Sequence, residues 1–285
     1  MNLSNDVFQL LFQFDEAVNE KHISQALKYS GSYDAKDVRG ILAEDERFID
    51  CSNNRWKCVP LDDLLSDKPI ENVEFIITDI ETTGSIRGKD RIIEIAAIKV
   101  CNGKVLDTFE FLVNPEKNIS GQIARLTSIS NETVCGAPLI EEVLPKYLEF
   151  AKSGVFVAHN SVFDFAFICS EVKRIKLESL EPHLEICTYR IARKLLPNVK
   201  ACGVSGLSKH YDYPMEHRHR AMPDVLATKF FLDKFLEMLK KGKKVETLSQ
   251  LIEFQRNKLS KSLLQKRIRR QRRKHIHNHS IKVSK

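Results

Sequence analysis

Hydrophobic and polar positions along this chain change period about a quarter of the way in, and the change separates two kinds of structure. In the first stretch, DVFQLLFQFDEAV, HISQALKYS and DAKDVRGILAED place apolar side chains at helical spacing, and RFIDCSNNRWKCVP reads as strand, Ser-Asn-Asn turn, strand. Helices followed by a β-ribbon describe a small winged-helix-like unit over residues 1–67. The polar segment LLSDKPIENVE, with Pro69, reads as a linker. VEFIITDI is then a nearly continuous apolar run of strand length, followed by RIIEIAAIKV and KVLDTFEFLVNP. Asn102-Gly103 between the last two is a strong hairpin signal, so these three predict an antiparallel start to a sheet. GVFVAHN is another short apolar run and predicts a buried strand of the same sheet. Helical spacing predicts helices near 139–150, 163–175, 188–196, 204–211 and 221–240. The expected class is α/β, a mixed sheet with helices on both faces over residues 68–245, followed by an extension over 246–285.

Charge changes the picture mainly at the C-terminus. The chain carries a formal +7, yet Arg256 to Lys285 alone holds twelve Lys and Arg with no Asp or Glu. The basic character therefore belongs to the tail, expected as a disordered extension. Residues 1–67 hold thirteen acidic and seven basic side chains. The seven cysteines form no CxxC pair, which predicts reduced thiols in a cytoplasmic protein. No apolar stretch reaches the roughly 20 residues that span a bilayer, and DVFQLLFQF lacks the basic start of a signal peptide. These readings exclude a disulfide-stapled secreted scaffold and a helical membrane protein.

The candidate chemistry lies in acidic and imidazole side chains set where structure alone has little use for them. Asp79 and Glu81 close the run FIITDIETTG, one residue apart, so strand alternation points both to one face. Asp164 in VFVAHNSVFDFAFI and Asp224 in HRHRAMPDVLAT fall at predicted helix starts, where Pro223 is well tolerated in a first turn. Carboxylates gathered from separate segments repel one another at neutral pH unless divalent cations lie between them. Metal-assisted phosphoryl transfer is the chemistry that such a set serves. His219, five residues before Asp224, is the candidate general base, since an imidazole is neutral and proton-accepting near neutral pH. His217 is its rival.

The blocks Asp79-Ile80-Glu81, His159 to Asp164 and His219 to Asp224, in that order, resemble the DxE, HNxxFD and HxxxxD pattern of the DnaQ-like (DEDDh) 3′→5′ exonucleases. Proofreading subunits of bacterial replicative polymerases belong to that family. GVSGLSKHYD and EICTYRIARKLLP also look like family positions, and NISGQIARLTSIS resembles a substrate-side helix and loop only loosely, so the likeness covers roughly residues 70–240. The resemblance implies a ribonuclease-H-like fold and two divalent ions, Mg²⁺ or Mn²⁺, held by Asp79, Glu81, Asp164 and Asp224. It implies His219 as the base. It also implies a substrate side formed by Thr82, Thr83, Gly84, His159, Asn160 and Phe163. Phe163 reads equally as a core aromatic, and His159 as a hydrogen-bonded structural histidine.

The expected activity is hydrolysis of DNA from a single-stranded or frayed 3′ end, releasing nucleoside monophosphates in proofreading, replication or repair, with a DNA polymerase subunit as a partner. RNA trimming by the same chemistry and a non-catalytic nucleic-acid- or polymerase-binding module are the alternatives. The tail KRIRRQRRKHIHNHSIKVSK reads as a phosphate-binding arm without stacking aromatics, or as a solubilising extension. Its His275, His277 and His279 offer a weak transition-metal motif. The acidic balance of residues 1–67 favours protein docking over DNA reading unless Lys36, Arg39, Arg55 and Lys57 share a face. QLLFQF, loosely like a clamp-binding peptide, reads better as an amphipathic core helix.

Overall fold

The structure, a computed structural model, describes residues 3–11, 14, 16–29, 38–59, 68–152, 154–177, 185–215 and 219–256. Lys36, His217, residues 64–67 of the expected linker and the basic tail from residue 257, with its three alternating histidines, lie outside the described residues. The chain divides into two compact units. One is residues 1–66 together with 256–285, and the other is Asp67–Gln255.

The first unit runs α1 (Leu3–Leu11), β1 (Val18–Asn19), α2 (Glu20–Tyr29), α3 (Val38–Glu44), β2 (Phe48–Asp50) and β3 (Arg55–Cys58). Its sheet has the order β1-β3-β2, with β3 antiparallel to both neighbours. The expected hairpin turns through Ser52, Asn53 and Asn54, all left-handed, and the Asp50 carboxylate accepts from Ser52 N at 2.7 Å. Asn tolerates that region better than most residues, which is why SNN punctuates two strands. Val7, Phe8, Leu11, Ile23, Leu27, Val38, Leu42 and Trp56 are buried, so the helices close over one side of a winged-helix-like ribbon. QLLFQF contributes Leu11 to this core, and its α1 is the amphipathic helix that its spacing predicts. Strand β1 is the addition, too short for any periodicity to show. Of the basic residues, Arg39 donates to the side chain of Asn54, next to Arg55 in the turn.

In the second unit β4 (Glu74–Thr82), β5 (Ile92–Cys101) and β6 (Lys104–Leu112) form the expected antiparallel start, and β7 (Val155–Ala158) and β8 (Ile186–Cys187) add in parallel. The order across the sheet is β6-β5-β4-β7-β8. The helices are α4 (Gly121–Thr127), α5 (Asn131–Val134), α6 (Ile140–Ala151), α7 (Ser161–Arg174), α8 (Thr188–Leu195), α9 (Val204–His210), α10 (Ala221–Lys243) and α11 (Leu248–Gln255). Alternation along β4 sorts its side chains. Ile76 and Ile80 join a core with Tyr147 of α6 and Phe167 of α7, while Thr78 Oγ1 lies 2.9 Å from the Tyr147 hydroxyl. Asp79 and Glu81 point to the opposite face, which α10 covers through Val225, Thr228, Phe231 and Phe235.

Short α4 falls in the stretch that loosely resembles a substrate-side helix, while α5 went unforeseen, although each starts on a serine cap, Ser120 and Ser130. Strand β8 is only two residues long. Helix α11 falls where the extension was expected to begin at residue 246, yet Leu248, Leu251, Ile252 and Gln255 are all buried. The second compact unit therefore runs ten residues further than that boundary, because the end of α11 is pinned to the edge of the sheet. Gln255 Oε1 accepts from Cys187 N at 2.7 Å and Gln255 Nε2 donates to Glu185 O at 2.5 Å. A side-chain amide thus takes the place of a neighbouring strand along β8.

Candidate active site

Strand β4 outruns its parallel neighbour, and this positions the site. β7 pairs with β4 only from Phe75 to Ile77, so the β4 edge beyond is open to the first turn of α7. Asp164 enters there, and its carboxyl takes the backbone N–H of Ile80 as well as its own. On the other side, β4 and β5 pair to Glu81 opposite Glu94, after which a bulge between Glu81 and Thr82 turns the chain away. Asp224 lies in the first turn of α10, where helix dipole and free N–H groups favour an acid. One ligand atom each of Glu81, His219 and Asp224 lie within 4.8 Å of one another.

The electrostatics of the cluster are those of buried acids held close together. Burial first, then the charges of Asp164, Asp224, Glu81 and Glu94, push the Asp79 carboxyl well above the usual carboxylate range. Burial, with Glu81 and Glu185 nearby, does the same to Asp164 despite the two backbone N–H groups. Glu81 rises to about 8, driven by burial, Asp224 and Glu94 and offset in part by Arg220. Together with Asp224 these carboxyl groups form a hard oxygen donor set, and the residues present fit a divalent cation.

The remaining sequence-predicted residues lie around this centre with distinct surroundings. Thr82 Oγ1 donates to Gly84 O at 2.6 Å, and Thr83 Oγ1 accepts from Arg91 N at 3.0 Å, so both hydroxyls tie the turn to itself. Gly84 has a steric reason: a Cβ there would sit 2.5 Å from the Asp90 carboxylate. Asp90 is in turn fixed by Lys117 Nζ at 2.8 Å and Ile86 N at 2.8 Å, which hold its carboxyl below the usual range. Asn160 caps α7 in the left-handed region and is exposed. Phe163 is half-buried and packs on Phe167, ring centres 5.0 Å apart. His159 Nδ1 lies 2.9 Å from Thr188 Oγ1, and burial pulls its imidazole down to about 4, so it is neutral at physiological pH.

His219 has φ 59°, a left-handed backbone in which histidine is several-fold enriched over most residues. Arg220, the next residue, reaches across to Glu94 on β5, whose side chain is fully buried. Neither Arg220 nor Glu94 stands out as a site residue in the sequence reading. Glu94 had a signal in common with Asp79 and Glu81, a lone acid inside an apolar strand.

A sequence model of the RNase T family, described as exonuclease, matches residues 76–232. The chain belongs to the exonuclease family. It is 45% identical over 166 residues to a DNA polymerase III PolC-type of Caldanaerobacter subterraneus subsp. tengcongensis, covering 58% of this chain and 12% of that protein. It is 40% identical over 155 residues to the PolC-type enzyme of Clostridium perfringens, covering 54% and 11%. The chain thus corresponds to about a tenth of these relatives' length. Among solved structures, E. coli exonuclease I in complex with a dT13 oligonucleotide aligns with a TM-score of 0.53 at 16% identity, over 61% of this chain and 42% of that one. At that identity the likeness concerns the fold, which is the DnaQ-like, ribonuclease-H-like arrangement expected. Among the described residues no helix is long and apolar enough to cross a membrane, and all seven cysteines are free thiols.

Proposed function

We propose that this exonuclease-family chain hydrolyses DNA from the 3′ end in a reaction dependent on divalent metal, releasing nucleoside monophosphates. The observation that carries the reading is the convergence of Asp79, Glu81, Asp164 and Asp224 on one face at the end of β4, with His219 beside Glu81 and Asp224. These carboxylates would hold Mg²⁺ or Mn²⁺ ions, which supply Lewis-acid stabilisation of the charge that develops at the phosphodiester. His219 takes the proton of the attacking water on a ring nitrogen. The ETTG turn from Glu81 to Gly84 lines the substrate side, its shape held by the Thr82 and Thr83 hydroxyls. Asn160 and Phe163 lie at the opening of α7, near Asp164, and complete that side. His159 acts from behind it, joining the start of α7 to Thr188.

Kinship with PolC-type DNA polymerases supports DNA over RNA and an editing role beside a polymerase. The basic residues from Arg256 onward fit an arm that holds the phosphate backbone without reading bases. The winged-helix-like residues 1–67, acidic overall, fit protein docking.

Matched 5′-labelled single-stranded DNA and RNA, incubated in Mg²⁺ and in EDTA with His219→Ala alongside, test the proposal. Metal-dependent shortening of DNA from the 3′ end, lost in the variant, is the expected result. Faster loss of RNA would move the substrate to RNA. Binding without cleavage of either polymer would overturn the enzymatic reading.

A further inference from the structure

The Glu94–Arg220 pair sits where no ligand of the acid cluster is required, yet it is the most completely bonded ion pair near the site. Glu94 is 0% exposed. It accepts from Arg220 Nε at 3.0 and 3.1 Å, from an Arg220 terminal nitrogen at 2.7 Å, and from the backbone N–H of Ala221 at 2.8 Å. One carboxylate therefore holds residue 220 by its side chain and residue 221 by its backbone. These are the two residues immediately after His219. A left-handed residue followed directly by a helix N-cap has few ways to sit, and here the helix start itself is anchored to β5 across 127 residues of sequence. Glu94 is also the register partner of Glu81. The strand pair that presents a carboxylate to the site thus also fixes the segment that carries the imidazole.

We infer that Glu94 and Arg220 form a clamp whose task is to position the His219 imidazole for proton transfer. The inference rests on the reading of His219 as the general base and deepens it. Arg220 is the residue type suited to the task, because its planar fork accepts one orientation against a carboxylate whereas a lysine ammonium accepts many. Arg220 also offsets part of the negative charge that Glu94 adds to a cluster already crowded with acids, but that electrostatic service needs only a charge nearby. The added backbone bond to Ala221 serves geometry.

The two roles separate in a double-mutant cycle on the full chain, with single-turnover rates, KM and Mn²⁺ affinity by calorimetry measured for each variant. The variants are Glu94→Gln and Arg220→Lys, each made with His219 intact and with His219→Ala. A positioning clamp predicts that Glu94→Gln lowers the rate on the order of 100-fold when His219 is present, the low end of what a general base contributes. With His219→Ala the same change should cost under about 3-fold, because nothing is left to position. Arg220→Lys should fall between wild type and Glu94→Gln, and KM and Mn²⁺ affinity should stay within about 3-fold throughout. The acid limb of the rate–pH profile, present in the wild type, should disappear in Glu94→Gln as it does in His219→Ala.

Equal losses in both backgrounds, or weakened Mn²⁺ binding in step with the rate, would overturn the clamp and leave a merely structural or electrostatic pair. If Glu94→Gln fails to fold, Arg220→Lys decides by the same comparison. A His219→Ala variant with wild-type rates would sink the general-base reading itself and the clamp with it. An inactive His219→Ala beside a fully active Glu94→Gln would sink the clamp alone.

Discussion

Replacing Gln255 by alanine should destabilise the catalytic unit far more than its place at the end of the last described helix implies. The Gln255 side chain is 3% exposed, and its two amide atoms satisfy Cys187 N at 2.7 Å and Glu185 O at 2.5 Å on the sheet edge. Alanine leaves both backbone groups without a partner in a buried setting, at about 1–3 kcal/mol each. Partial access of water to the vacated space brings the expected total to about 2–4 kcal/mol. For a unit of about 190 residues, where 1 kcal/mol moves the midpoint by roughly 2–4 °C, the melting temperature should fall by about 5–15 °C. The assay is thermal unfolding followed by circular dichroism, with urea titration to confirm that the midpoint moves at constant slope. Gln255→Glu adds a control with a sign: at pH 7 it keeps the acceptor for Cys187 N but faces the Glu185 carbonyl with no donor. Burial against that carbonyl favours the protonated acid, which returns the donor, so the gap to wild type should narrow on acidification. A Gln255→Ala midpoint within about 1 °C of wild type would refute the argument that this side chain completes the sheet. A chain ended at residue 245 should unfold more readily still, since Leu248, Leu251 and Ile252 would lose their burial, about 1.5–3 kcal/mol apiece.

Other consequences concern the site. Glu81, raised to about 8 from 4.5, binds its proton in the native state over a window where the unfolded chain has lost it, so its destabilising effect is absent below pH 4.5 and complete above about 8. In EDTA the melting temperature should therefore decline between pH 5 and 8, and millimolar Mn²⁺ should raise it more at pH 8 than at pH 5; equal metal shifts at both pH values would argue against the carboxylates as ligands. His159, pulled down to about 4 from 6.5, gives the opposite trend at acid pH, so its stabilising effect is present above 6.5 and lost as pH falls toward 4. His159→Phe should flatten that acid limb of stability, as melts between pH 4 and 7 can show. Gly206→Ala would put a Cβ 2.0 Å from the Ala201 carbonyl oxygen, and backbone does not yield as a side chain does. A loss of about 1–3 kcal/mol is expected where an ordinary helical glycine would gain on substitution, and urea unfolding gives the sign. Ending the chain after Arg256 should leave the cleavage rate intact but weaken DNA binding and flatten its salt dependence, read from titrations at several salt concentrations.

The sequence by itself determined the elements whose information is local. Strands β4, β5 and β6 and helices α6 to α10 follow from apolar period and from a turn signal such as Asn102-Gly103, because each residue's face is set by its neighbours two, three or four positions away. The same locality singled out Asp79, Glu81, Asp164 and Asp224 as candidates, since acids at the end of an apolar strand or in a helix's first turn stand out against their own surroundings, whereas His219 was chosen over His217 by the spacing of the resemblance. What only the tertiary structure decided depends on partners far along the chain. Glu94 does not stand out as a site residue within its strand run, and its partner Arg220 lies 126 positions on. Gln255 looked like part of a polar extension until Glu185, 70 positions away, met its amide. Strand β8 has two residues and no period to read, and exists because β7 and the Gln255 side chain supply its hydrogen-bond partners on either side. Local pattern fixes which face of an element is buried; which buried polar group meets which partner is settled by the closing of the sheet, where an unmade hydrogen bond costs more than any propensity contributes.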